Sequence, residues 1–336
     1  MLPIEEYKTA FLEHIEKIFT PKEPIHLYEP IQYILNLGGK RIRPILTLIA
    51  TDIFGKDYRK ALNAATAIEV FHNFSLIHDD IMDNASLRRG KPTVHQKWDT
   101  NVGILSGDAM LIIAYKLLED YPSKIFQELV KTLSETALKV CEGQQMDMDF
   151  EKLQEVSIET YMQMISYKTS VLIGAALQMG SIISETTKEN QINMYNFGLN
   201  LGIAFQLQDD YLDTFGDASF GKKIGGDIIE NKKTILYLKS LALSNEKQRE
   251  ELLRAYALNE VDNKGNNKTY DFNGGKLKYA ESEIKDLYKS TYKLIKGKDE
   301  QVFYHGRDFV NTLIKLIPNI EKNKNTLYKK IMNPNL

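Results

Sequence analysis

The chain has 336 residues, with 43 Lys and Arg against 45 Asp and Glu, so a net charge of −2 gives no electrostatic case for a nucleic-acid partner. At 43% hydrophobic residues it can build a large core in one or two domains. One cysteine, Cys141, excludes an internal disulfide and fits a reducing compartment. The N-terminus has no basic segment followed by an apolar one, and no apolar run approaches the roughly 20 residues of a membrane span. The expectation is a soluble, cytoplasmic protein.

No proline occurs between Pro122 and Pro318. That stretch is rich in Leu, Ile, Lys, Glu and Ala and lacks period-2 alternation, which predicts helices. The whole chain, 1–336, reads as one all-α domain.

Residues 5–19 read as an amphipathic helix with Tyr7, Phe11, Ile15 and Ile18 on one side. Pro21, Pro24 and Pro30 mark a loop and the start of the next helix. Gly38-Gly39-Lys40-Arg41-Ile42-Arg43-Pro44 follows, then an apolar helix over 45–53. Two glycines permit a sharp turn of positive φ, and three cations in four residues before a helix make an anion site. The plain alternative is a basic surface loop.

Residues 61–77 are apolar, without proline or glycine, and predict a buried helix. It leads into His78-Asp79-Asp80-Ile81-Met82-Asp83. On a helix Asp79 and Asp83 share a face, one turn apart. Carboxylates gathered there repel one another and are costly to desolvate, so a cation should compensate them. Oxygen-only ligands suit Mg²⁺ or Ca²⁺ better than zinc. A solvated helix end is the alternative. His72 lies seven residues before Asp79 on nearly the same face and reads as a phosphate donor or a core histidine. Phe71, Phe74 and Ser75 read as core that would also line an apolar cavity beneath the metals. Arg88-Arg89-Gly90 is expected to end the helix and set two guanidiniums beside the carboxylates, for charge balance or for phosphate.

Gly107-Asp108 resembles a helix start with aspartate as cap. A helix begins near Ser123 and runs through Asp147, a surface or outer-sphere carboxylate. The next, over 161–177, carries Lys168-Thr169, and a lysine is out of place in so apolar a helix.

Asp209-Asp210-Tyr211-Leu212-Asp213 repeats the first acidic pattern after an apolar stretch, 197–207, that carries Gln206. Two such clusters facing each other across a helical bundle would hold Mg²⁺ ions, with water and substrate phosphate as the other ligands. The implied ligand is an oligophosphate. A glycine- and lysine-rich segment follows, with Gly221-Lys222-Lys223, Gly226-Asp227 and Lys232-Lys233. Residues 245–275 read as a solvated connection, and 279–294 and 302–317 as helices without evident chemistry.

In order, GGKRIRP, HDDIMD, LRRGKPT, GQQMD, KT, FQLQDDYLD, GKKIGGD and NKKT closely resemble the trans-isoprenyl diphosphate synthase (polyprenyl synthetase) family, from about residue 36 to 234. The resemblance implies an all-α, single-domain bundle of the isoprenoid synthase type with a central cavity, a homodimer, and head-to-tail condensation of isopentenyl diphosphate with an allylic diphosphate. It implies Mg²⁺, about three ions per site, on Asp79, Asp80, Asp83, Asp209, Asp210 and Asp213. By the same resemblance Arg88, Lys168 and Lys223, with Lys232 beyond, surround the allylic diphosphate. Lys40, Arg43, His72 and Arg89 hold isopentenyl diphosphate, and Thr169 and Gln206 lie near the allylic cation.

The family's chain-length gate falls at Phe74 and Ser75, about 7.5 Å below the first aspartate. One aromatic and one small residue, with no insertion in the first motif, points to geranylgeranyl diphosphate and next to farnesyl diphosphate. A class I terpene cyclase would need only one such cluster and no second diphosphate site. A non-catalytic partner subunit would usually have lost one cluster.

Overall fold

The computed structural model describes residues 2–150, 153, 155–215, 226–229 and 232–257. Helices dominate, and the only strands among the described residues are two of two residues each. The all-α expectation holds. Among the same residues no helix is long and apolar enough to cross a membrane.

The described residues form two compact units. The first holds residues up to Leu138 together with 170–199, and the second holds 139–169 with those from Asn200 on. The long helices α7 (Ser123–Phe150) and α10 (Lys188–Phe215) contribute residues to each.

The first unit is built on α4, Leu62–Met82. Ala64, Ala65, Ala67, Ile68, Val70, Phe71 and Ile77 are buried on it, so most of its circumference is inside. It packs along α3 (Ile42–Ile53) and α6 (Thr100–Lys116), while α9 (Val171–Ile183) lies along α3. α1 (Ile4–Ile18) buries Tyr7, Phe11 and Ile15, as its pattern predicts, with Ile18 half-buried. α2 runs Ile25–Asn36. It starts after Pro24, and Pro30 lies inside it rather than at its start.

Two further boundaries differ from the sequence reading. α6 starts at Thr100, where the Asp99 carboxylate accepts from the Val102 amide at 2.8 Å. Asp99 is thus the cap, and Gly107-Asp108 is mid-helix. Gly107 is there because α4 comes close: a methyl on it would sit 2.7 Å from Cδ2 of His78. The first acidic helix ends at Met82, before the arginines. Arg88 and Arg89 belong to a hairpin, β1 (Leu87–Arg88) against β2 (Lys91–Pro92). Its turn has φ of 53° at Arg89 and 74° at Gly90, the consecutive positive values of a tight two-residue hairpin. A short α5, Val94–Lys97, follows.

The second unit has its own core of Phe150, Tyr161, Met164, Ile165, Ile228, Leu236, Tyr237, Leu238 and Leu252. The helix predicted over 161–177 is interrupted: α8 (Ile158–Ile165) passes through a π turn, Ser166–Ser170, into α9. The π turn carries Lys168 and Thr169. α11 (Gly226–Ile229) and α12 (Ile235–Leu243) follow. The reading of 245–275 as a connection is corrected over its first part, where α13 spans Glu246–Ala257. The signal is a reciprocal box: the Gln248 amide donates to Asn245 Oδ1 at 2.9 Å and the Asn245 amide to Gln248 Oε1 at 3.1 Å. The helices predicted over 279–294 and 302–317 lie outside the described residues.

Candidate active site

The described residues that the sequence singles out gather in three charged constellations, two in the first unit and one in the second. The first is basic. Gly38 and Gly39 have φ of 81° and 124° and turn the chain between α2 and α3. A methyl on Gly39 would stand 3.0 Å from the guanidinium carbon of Arg89, so the turn is also a close approach. Arg89 NH1 donates to the Gly38 carbonyl. Arg43 NH1 donates to Nε2 of His72 at 3.2 Å. Burial pushes His72 well below the usual imidazole range, and Arg43, Arg89, Arg88 and Arg41 add to it. The ring is therefore neutral, with Nδ1–H as its donor. Burial lowers Arg43 too, and Arg89 lowers it further. Arg43 Nε is shielded from solvent and meets no acceptor among the described residues. Cations that destabilise one another around an unsatisfied donor call for an anion. Lys40 is exposed on the same turn.

Arg41, the middle cation of the motif, does something else. It is 6% exposed, has φ of 52°, and turns inward to pair with Glu69 and to donate to the Leu35 carbonyl. Asn73 Nδ2 donates to Glu69 Oε1 at 3.1 Å and to its carbonyl at 2.8 Å. This buried network fixes the turn beneath the basic cluster. Nothing in the run of three cations distinguishes it.

The second constellation is the end of α4. Asp80 is 1% exposed, and Arg88 grips it with Nε at 2.9 and 2.8 Å from its two oxygens and NH2 at 2.6 Å from Oδ1. Arg88 NH2 also lies 3.8 Å from Asp79 Oδ2. Burial raises Asp80 above the usual carboxylate range and Asp79 adds to it, while Arg88 opposes both. Asp83 caps the helix, exposed, its amide donating to the Asp79 carbonyl at 2.9 Å. The two adjacent arginines thus divide: Arg88 goes to the carboxylates and Arg89 to the basic turn. Below Asp79, the Phe74 ring is 4.8 Å from His78 and 5.4 Å from Phe71. Ser75 Oγ donates to the His72 carbonyl at 2.8 Å.

The third constellation belongs to the second unit. Asp210 is 3% exposed and accepts from Tyr161 OH, from Gln206 Nε2 at 3.0 Å and from the Ile235 amide at 3.2 Å. Burial pushes it up to about 6 despite those donors. Thr169 Oγ1 donates to Gln206 Oε1 at 3.1 Å, so the π turn and the acidic helix share one chain of hydrogen bonds. Asp213 Oδ2 accepts from the Asp227 amide at 3.0 Å. Asp227 is pushed up to about 7, by burial first and then by Asp213, with Asp210 and Asp209 adding and Lys232 opposing. Lys232 Nζ lies 4.0 Å from Asp227 Oδ1. Lys168 Nζ meets Asp147 Oδ2 at 2.6 Å, which accounts for a lysine in that helix. The sequence reading left out Tyr161 and Asp227 from the site and gave Asp147 no partner. Lys223 lies outside the described residues.

Among the described residues no three acidic, histidine or cysteine side chains come close enough to hold a metal ion by themselves. The donor set still fits Mg²⁺. It is all carboxylate oxygen, and the carboxylates around Asp227 raise one another's proton affinity, as negative charge awaiting a cation does. Mg²⁺ usually takes only one or two protein carboxylates, with water and phosphate as the rest.

The sequence pattern of the family described as polyprenyl synthetase matches residues 24–271. The chain belongs to the polyprenyl synthetase family. It is 40% identical over 230 residues to a geranylgeranyl pyrophosphate synthase of Geoglobus acetivorans, covering 68% of this chain and 72% of that one. It is 37% identical over 254 residues to a geranylfarnesyl diphosphate synthase of Natronomonas pharaonis, covering 70% and 74%. A crystal structure of a geranylgeranyl pyrophosphate synthase superposes with a TM-score of 0.89 at 44% identity, covering 99% of this chain and 98% of that one.

Proposed function

We propose that this polyprenyl synthetase is a short-chain, Mg²⁺-dependent trans-prenyltransferase that joins isopentenyl diphosphate head-to-tail to an allylic diphosphate, with geranylgeranyl diphosphate as its main product and farnesyl diphosphate as the next candidate. The observation that carries the reading is the basic cluster of Arg43, His72 and Arg89, separate in its partners from the Asp79–Asp80–Arg88 cluster of the same unit. A class I terpene cyclase has no use for such a second anion site.

In this reading Asp79, Asp83 and Asp209 are the direct Mg²⁺ ligands. Bound there, Mg²⁺ supplies Lewis acidity that neutralises a departing diphosphate. Arg88, Lys168, Lys223 and Lys232 bind the oxygens of the allylic diphosphate, while Lys40, Arg43, Arg89 and the Nδ1–H of His72 bind isopentenyl diphosphate. Asp80 orients Arg88, and Asp210 and Asp213, gripped by backbone and side-chain donors, fix the end of α10. The allylic C–O bond breaks, the alkene of isopentenyl diphosphate attacks the cation, and a proton leaves from the adjacent carbon to the released diphosphate. Thr169 and Gln206 present dipoles that stabilise the cation and, bonded to each other, do not capture it.

The relatives carry names for two product lengths at similar identity, so overall similarity leaves product size to local residues. Phe74 and Ser75 are the ones we assign. We take 1–336 as one synthase domain, cytoplasmic, and a homodimer. The dimer reading is supported by an apolar outer face in the first unit, with Leu105 61%, Ile112 66% and Leu138 of α7 62% exposed, beside the Tyr115–Ser134 bond between α6 and α7. The deciding assay is incubation of the purified protein with Mg²⁺, isopentenyl diphosphate and dimethylallyl, geranyl or farnesyl diphosphate, then sizing of the dephosphorylated alcohols. Turnover without isopentenyl diphosphate would favour a cyclase, and no turnover by the protein alone would favour a partner subunit.

A further inference from the structure

Tyr33 lies on α2, five residues before the Gly38-Gly39 turn. Its hydroxyl donates to the Pro92 carbonyl at 2.7 Å. Its ring stands edge-on to Trp98 with centroids 5.3 Å apart. The Lys97 ammonium sits 4.0 Å from the Tyr33 ring centre and 4.4 Å from that of Trp98. No carboxylate or phosphate ligand is part of this group, and its position near the surface makes it a poor core. What it joins is specific.

α2 leads directly into the turn that carries Lys40, and α3 then carries Arg43. Pro92 ends the second strand of the hairpin whose turn presents Arg89. With His72 supplied by α4, the cations of the cluster therefore come from two backbone segments, and two polar ties hold those two together. One is the Arg89 bond to the Gly38 carbonyl. The other is Tyr33 to Pro92. An arginine that turns to a diphosphate leaves the first tie, whereas the second involves no group that binds the anion. The ring contact with Trp98 and the Lys97 cation near both rings orient the phenol toward Pro92.

We propose that Tyr33 is a positioning residue for the basic cluster: through the Pro92 carbonyl its hydroxyl holds the hairpin turn at the distance from Gly38 at which Arg89, Arg43 and His72 grip a single diphosphate. The proposal rests on the reading of that cluster as the isopentenyl diphosphate site. It assigns the hydroxyl a role in the affinity for one substrate and not the other.

Tyr33→Phe keeps the ring, the Trp98 contact and the Lys97 cation and removes only the donor. In the full-length protein the KM for isopentenyl diphosphate should rise about five-fold, the yield of one hydrogen bond. The KM for the allylic diphosphate and the kcat should stay unchanged, and the melting temperature should fall by no more than the loss of one exposed hydrogen bond brings. In an Arg89→Ala background the same substitution should have almost no further effect on the isopentenyl diphosphate KM, because Tyr33 acts through Arg89. A purely structural tyrosine would affect both substrates alike and add its effect independently. An unchanged KM, an equal rise for both substrates, or additivity with Arg89→Ala would overturn the proposal. Calorimetric titration of both proteins with inorganic pyrophosphate in Mg²⁺-free buffer gives a reading apart from turnover, with the same five-fold weakening expected. If wild-type protein fails to turn over and the titration still shows the coupling, the functional reading falls and the positioning role stands. Should Tyr33→Phe not fold, Lys97→Met should show a smaller shift in the same direction, and no shift there would overturn the proposal.

Discussion

Replacing Gly143 with alanine should damage the enzyme far more than its chemistry suggests. Gly143 is buried on α7 where that helix crosses the π turn. A methyl there would collide with the Lys168 amide nitrogen and would sit 2.7 Å from the carbonyl carbon of Tyr167 and 2.8 Å from Cα of Lys168, against the 3.4 Å at which ordinary contact begins. All three obstacles are backbone, so no side chain can swing aside. The two segments must part by about 1 Å or more, a strain of overpacking that costs about 1–3 kcal/mol. The function should suffer more. Asp147 lies one turn further along α7 and holds Lys168 at 2.6 Å, and Thr169 next to it bonds Gln206 at 3.1 Å. Displacement on that scale misplaces both, and an error of about 1 Å in a positioning group costs about 100-fold in rate. Steady-state kinetics beside thermal melting separates the two losses, with exposed Glu142→Ala as the neighbouring control. A Gly143→Ala protein with wild-type kcat and melting temperature would refute the argument.

Arg41→Met should leave Glu69 buried without its cation and cost about 3–5 kcal/mol, read as a lowered urea midpoint, although a motif-based reading would expect only weaker substrate binding. Phe74→Ala should open the space below Asp79 and lengthen the product, and unchanged chromatography of the alcohols would remove Phe74 from the gate. Chelation of divalent ions should abolish turnover, with Mg²⁺ restoring it, and Asp209→Asn should raise the Mg²⁺ concentration needed for half activity; full turnover in excess chelator would contradict the assignment of the carboxylates.

The helical class and the helices that carry the two acidic clusters were legible because apolar period and recurring carboxylate spacing are local signals. α7 begins at Ser123, where the sequence places it, and α4 is the buried helix that 61–77 predicts. What escaped was set by contacts distant in sequence. Gly107-Asp108 resembles a cap, yet the glycine answers to His78 across a helix pair. Arg41 stands among cations that we propose bind ligand, and only its burial against Glu69 sets it apart. The π turn has no compositional mark, because a wider helical turn needs a neighbour to fill it rather than a particular residue. Asn245 and Gln248, by contrast, carry a readable box that was outweighed by the polar composition around them.

The hairpin between Leu87 and Pro92 works as a sorter. Arg88 closes the extended strand and Arg89 opens the turn at a φ of 53°, so one dipeptide delivers two identical charges to two different addresses. Inserting or deleting a single residue before Arg88 would shift both arginines out of those places and break both pairings. Its length is therefore as constrained as its composition, and exchanging the two arginines for lysines would forfeit the grip on Asp80 while leaving the total charge untouched.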